Sequence, residues 1–365
     1  MSHSAVKTSR FLRLLFTLCV LHLIAGIFIF GISGCNSSRA NQALKNAVYG
    51  SEKAKLSMTP TTSAKLYEGL PLSVAPEVNP LVNAKEHQVR IDVTHTEIQV
   101  TDGVSFTAWT FGGLLPGPVL HVRQGDKVHF SMTNRSDKTL SISQPSPHSI
   151  DFHAAQVNPA DKYQEVIPGA TIAFDWTANY PGVFMYHCGS PAILQHMIYG
   201  MIGMTIVEPK DGYPTHVDRE YALVQSELYL TKTTDGKYLT DMDAARKKTP
   251  TYVVFNGHPN QYVQKPLEAA PGERVRLYVL NAGPNGTSSF HVVGTLLDRV
   301  WMDGNPQNEM RGMQTVLLGS SQGAVVEFVI PEAGTYTFVD HEFADVELGA
   351  VGQIVAKADG AVASR

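Results

Sequence analysis

The chain has 365 residues, too long for one small domain, and its 43% apolar and 17% charged content excludes a largely disordered polypeptide. Its 33 acids against 29 bases leave a net charge of −4, which lacks the basic excess of a nucleic-acid binder, so no nucleic-acid partner is expected. Three cysteines cannot build a disulfide framework, whereas 30 Gly and 21 Pro predict the many turns of an all-β protein.

The N-terminus reads as an export signal over residues 1–34. Lys7, Arg10 and Arg13 precede an apolar run from Leu14 to Ile32, and small residues follow at Ser33 and Gly34. Cys35 stands where a bacterial lipobox places its lipidated residue, so the mature chain is expected to begin there, anchored to a membrane of the cell envelope. The alternative, a retained membrane anchor, also places the body outside the cytoplasm. Residues 35–85 are rich in Ser, Ala, Thr, Lys and Pro with little periodicity, and read as a flexible tether.

From about Val89 the pattern changes to short alternating runs. Arg90 to Val100, Val119 to Arg123 and Lys127 to Met132 alternate apolar with polar residues between Gly and Pro turns, which predicts strands. One or two helical turns are expected over Asp241–Lys248. The chain also echoes itself. Gly125, Val128 and Asn134 recur as Gly272, Val275 and Asn281, with steps of +3 and +9 from the glycine in both copies. Likewise Gly182 to His187 is echoed by Gly334 to His341. Two Greek-key β-sandwiches are expected, over 86–210 and 211–357, joined near Glu208–Pro214.

Cys188 is the single cysteine of the expected folded body. His196 follows at +8 and Met201 at +13, while His148 ends a Pro/Ser loop upstream. Two imidazoles, a thiolate and a thioether form the ligand set of a type 1 copper site. Met197 and Met204 are alternatives for the thioether. A second histidine set is interleaved with the first. His153 lies an odd number of residues from His148, and His187 is adjacent to Cys188. On strands, both pairs point to opposite faces. That separates His148 and Cys188 from His153 and His187, as two metal centres back to back. His341, at the matching place in the second half, is the natural third imidazole of the second centre.

These runs together resemble the copper-containing nitrite reductases. The resemblance rests on HSIDFH at His148–His153, MYHC at Met185–Cys188, His196, Met201, FHVVG at Phe290–Gly294 and VDHEFADVELG at Val339–Gly349. It covers roughly residues 89–356, and the spacing from Cys188 to His196 is like that of the branch with the shorter loop. The family implies two tandem cupredoxin domains, a homotrimer and two copper ions per chain. By resemblance, His148, Cys188, His196 and Met201 bind type 1 copper. His153 and His187 bind type 2 copper together with His341 from the neighbouring subunit. Asp151 and His291 match the catalytic pair, Val293 lines the substrate pocket, and Thr315 falls where a residue orients the catalytic histidine. Electrons enter at type 1 copper and pass through Cys188 and His187 to type 2 copper, where nitrite is reduced to nitric oxide.

That assignment is chemically coherent. Nitrite must gain one electron and two protons to leave as nitric oxide and water. A three-imidazole copper keeps an open, positively charged position for the anion, and Asp151 and His291 can supply protons. A small cytochrome c or blue-copper protein is the expected donor, docking on the apolar loop at Ile193, Leu194 and Met197. Two other readings compete. A multicopper oxidase needs His-x-His pairs, and the chain has none. A plain blue-copper carrier would need only the first ligand set. His95, His121, His129 and His258 read as polar strand or turn positions and are not expected to be ligands.

Overall fold

The computed structural model describes residues 52–58, 63–137 and 142–358. The export signal and Cys35 lie outside the described residues. No helix among the described residues is long and apolar enough to cross a membrane.

The alternation seen in the sequence becomes two β-sandwiches. In the first, a five-stranded sheet runs in the order Lys55–Ser57, Thr171–Thr177, Lys127–Thr133, Glu86–Ile91, Tyr67–Glu68. It faces a four-stranded sheet of Leu120–Arg123, Ile202–Glu208, Gly182–His187 and Asp151–Phe152. Thr171–Thr177 shows why. Ile172, Phe174 and Trp176 point inward and their neighbours outward, so one face of the strand is buried at every second residue. These side chains pack with Phe130, Phe152, Tyr186, Cys188 and Met201 in one core.

The second half repeats the plan. A six-stranded sheet centred on Arg219–Leu228, Arg274–Asn281 and Gly323–Val329 encloses a second core with a five-stranded sheet containing Ser288–Val292, Gly334–Asp340 and Val351–Ala356. A third core, with Met185, Met204 and Ile206 from the first half and Val224, Tyr278 and Trp301 from the second, joins the halves. Residues Glu52–Arg365 accordingly form one compact unit.

The repeated residues do the same work twice. Gly125 and Gly272 both turn with φ near +90° (+91° and +84°), a backbone that a side chain would strain. Buried Asn134 donates from Nδ2 to the carbonyls of Ser146 and Val166, and its Oδ1 accepts from the amide of Ser136. Asn281 donates to the carbonyls of Gly286 and Leu318 and accepts from the amide of Gly283. Each asparagine thereby pins the loop that leads into a histidine-bearing segment, His148 in the first half and His291 in the second.

The tether expected over 35–85 does not hold for its later part. Lys55–Ser57 is an edge strand on Thr171–Thr177, Tyr67–Glu68 pairs with Glu86–Ile91, and Leu70 and Ser73 are buried. Strands of two and three residues are too short to carry a periodic signal, so the segment looks structureless in sequence. The expected helical turns near 241 are present as Met242–Lys247, capped by Asp241 Oδ1, which accepts from the amides of Asp243 and Ala244.

Candidate metal centres

The first cluster is buried in the first half. His148 leaves the pinned loop and exchanges two backbone hydrogen bonds with Val166. Cys188 follows the strand Gly182–His187, and its amide donates to the carbonyl of Met201 at 3.2 Å. His196 sits on the short helix Ile193–Ile198, entered through Ala192 at φ +63°. The Met201 amide in turn donates to the His196 carbonyl. This tight return brings residues 188, 196 and 201 to one place, which strand alternation alone could not do.

The donor atoms converge. Cys188 Sγ lies 3.2 Å from His196 Nδ1 and 4.0 Å from His148 Nδ1, and the two Nδ1 atoms are 3.2 Å apart. Burial lowers the His148 pKa to about 2 and the His196 pKa to about 4, so both rings are neutral and present lone pairs. Burial raises the thiol pKa of Cys188, opposed by the Ser149 amide, which donates to Sγ at 3.3 Å. Three converging lone-pair donors, two nitrogen and one sulfur, with no protein cation among them, fit a soft metal such as copper. Met201 is fully buried in the same core as Cys188, whereas Met197 and Met204 pack into the core between the halves. That placement favours Met201 as the thioether.

A second layer surrounds this cluster, and sequence reasoning missed it. His95 Nε2 lies 2.7 Å from His148 Nε2, and Trp109 packs edge-on against both His148 and His196. Burial, and then the nearby His196, lowers the pKa of His95 to about 4. The strand Val93–Thr101 starts with three consecutive buried residues before alternation begins, so His95 looked like an outward polar position. Its partner is 53 residues away, and only the break in alternation hinted at burial.

The second cluster is built on the paired strands Asp151–Phe152 and Gly182–His187. Asp151 is in register with His187, and the His153 amide donates to the carbonyl of Met185. His187 Nε2 is 3.1 Å from His153 Nε2 and 3.9 Å from Asp151 Oδ2. Desolvation and the His187 ring lower the His153 pKa, with Asp151 acting the other way. Unlike the first cluster this one is open: His153 is exposed, and Asp151 and His187 are half-buried. His148 and Cys188 fall in one group of donor atoms, and His153 and His187 in the other.

His291 and His341 form a separate pair in the second half. Their rings meet edge-to-face at 5.5 Å, His291 Nδ1 donates to the Gln314 carbonyl at 2.5 Å, and Thr315 is in register with His291. His341 is exposed against Phe343, and Val293 is 49% exposed. Neither histidine joins the second cluster within the chain. The docking loop also differs from expectation. Ile193 is exposed, but Leu194 packs against the cluster of Tyr229 and Ala245, and Met197 against the core between the halves.

Comparison with known proteins agrees with this geometry. A family model described as multicopper oxidase matches residues 92–212. The copper-containing nitrite reductase of Neisseria gonorrhoeae is 35% identical over 347 residues, covering 91% of this chain and 86% of that protein. That of Neisseria meningitidis is 38% identical over 296 residues, covering 79% and 74%. The solved copper nitrite reductase of Nitrosomonas europaea superposes with a TM-score of 0.66 at 37% identity, covering 74% of this chain and 95% of that one. The fold is two tandem cupredoxin-like sandwiches, the cofactor metal is copper, and the chain belongs to the copper-containing nitrite reductases.

Proposed function

We propose that this chain reduces nitrite by one electron, taking up two protons and releasing nitric oxide and water. His148, Cys188, His196 and Met201 hold type 1 copper. His153 and His187 hold type 2 copper with His341 supplied by a neighbouring copy in a homotrimer. The observation that carries the reading is that Cys188 and His187, adjacent in sequence, belong to the two different clusters.

Copper, held by His148, Cys188, His196 and Met201 at the buried site and by the histidines of the open one, would supply the one-electron couple that the reaction needs. The chain's own residues do the rest. Burial and the Ser149 amide hold Cys188 Sγ in one position, so little rearrangement accompanies electron uptake. Asp151 presents a carboxylate beside His187, placed to hold a nitrite oxygen or water and to pass a proton. His291, fixed through Nδ1 by Gln314, keeps Nε2 free for the second proton. In one chain the pair His291 and His341 stands apart from Asp151. The exposure of His341 supports a site completed between copies, and one heterologous contact repeated three times closes a ring.

The lipobox at Cys35 supports an exported, lipid-anchored protein of the cell envelope. A small cytochrome c or blue-copper protein fits as donor over Ile193. The decisive experiment is anaerobic nitrite turnover with a chemical reductant, with nitric oxide detected directly and copper counted. Two coppers per chain with nitric oxide release is expected. One copper and no turnover would leave an electron carrier instead.

A further inference from the structure

We propose that His95 is a positioning residue for the buried metal centre: its Nε2, 2.7 Å from Nε2 of His148, accepts that ring's proton and so directs the Nδ1 lone pair of His148 at the metal. This inference rests on the copper reading of the first cluster.

The proton count leaves one arrangement. Nδ1 of His148 faces Cys188 Sγ and His196 Nδ1, so it must be bare to bind a cation. A neutral imidazole then carries its proton on Nε2. At 2.7 Å from a second ring nitrogen, that proton needs an acceptor, and His95 Nε2 is the atom there. His95 must in turn carry its own proton on Nδ1, which lies 2.7 Å from Ser143 Oγ. The Gln144 backbone is a further hydrogen-bond partner of the same ring. Each nitrogen of both rings thereby has a defined role.

Packing holds the relay in place. His95 is fully buried and stacks on Trp109 at 5.0 Å with an interplanar angle of 18°. Trp109 also stacks on Tyr199 and meets the ligand rings edge-on. His95 therefore cannot swing away without unpacking the aromatic stack. Accepting a hydrogen bond from a ligand's distal N–H also makes that imidazole a stronger donor to the metal, which favours the oxidised ion. The relay ends at half-buried Ser143.

The test compares His95→Gln, whose amide oxygen can still accept from His148, with His95→Leu, which cannot. Copper affinity of the thiolate site is measured by competition titration, and its reduction equilibrium by spectroelectrochemistry. His95→Leu is expected to bind copper about 10–100-fold more weakly and to shift the reduction equilibrium towards the reduced ion. His95→Gln is expected to stay close to wild type in both. Equal losses in the two variants would mean that His95 only packs. Unchanged values in folded His95→Leu would also overturn the proposal. Wild-type protein tests it without any substitution. In its diamagnetic cuprous form, nitrogen-15 spectra of labelled histidines are expected to place the proton on Nε2 of His148 and on Nδ1 of His95. The opposite tautomer of His95 would refute the relay whether or not the variants fold. If wild-type protein shows no thiolate-to-copper absorption, it is the copper reading that fails.

Discussion

His187 and Cys188 are joined by one peptide, yet the Cys188 sulfur is buried among His148 and His196 while the His187 ring faces His153 and Asp151. His187 Nδ1 also lies 2.9 Å from the Cys188 carbonyl oxygen, so the two clusters share a short covalent and hydrogen-bonded path. Replacing the sulfur should separate them. Cys188→Ala is expected to lose the intense visible thiolate-to-copper absorption, to keep copper on the histidines and to lose nearly all turnover. A variant that kept the band would show that Cys188 is not a ligand.

Proton supply should be separable from metal binding. Asp151→Asn and His291→Ala are each expected to retain both coppers and to lose about 10²–10⁴-fold in turnover, the usual contribution of a positioned acid or base. Metal analysis beside nitrite kinetics checks both halves, and full activity in both variants would remove their assigned roles.

Because His341 stands apart from His153 and His187 within one chain, the two halves of the site should complement one another between chains. His153→Ala and His341→Ala homotrimers are each expected to be inactive. Co-assembly of equal amounts should restore about a quarter of the sites, the share for random neighbours in a ring. No recovery in mixed trimers, or a native mass of a monomer carrying both coppers, would place the whole site in one chain.

Acid should destabilise the metal-free fold through its buried rings. In the folded chain His95 and His196 titrate at about 4 and His148 at about 2, against 6.5 for an ordinary imidazole. The unfolded chain therefore binds protons first as pH falls below about 6.5, and stability drops from there towards pH 4. Carboxyls held high by burial, Asp92 and Asp345, act in the opposite sense. Thermal unfolding of metal-free wild type should lose more Tm over this range than metal-free His148→Asn. Equal slopes would mean that the buried imidazole does not drive the effect.

Donor docking should depend on Ile193, 45% exposed at the start of the helix that carries His196. Ile193→Lys is expected to slow turnover with a protein donor and to leave turnover with a small reductant unchanged. Leu194 and Met197 are poor probes, because their packing against Tyr229, Ala245 and the core between the halves means that lysine there would disturb the fold.

Much of this molecule was legible in one dimension because its signals are local. Alternation at Thr171–Thr177 depends only on the two-residue period of a strand. The Cys188, His196 and Met201 spacing depends only on the length of one loop, and the opposed faces of His187 and Cys188 only on their adjacency. Asn134 and Asn281 could be matched because each caps the same turn in a repeated plan.

What the tertiary structure alone decided depends on pairs distant in sequence. His95 became a partner of His148 because the fold brings two segments 53 residues apart into contact, and no period encodes that. The strand at Lys55–Ser57 exists because Thr171–Thr177 offers it an open edge, not because three residues favour extension. Leu194 turned inward because a helix from the second half lies beside it. His341 stands apart from His187 within one chain because the two lie on different sandwiches, a distance set by how the halves pack rather than by either motif.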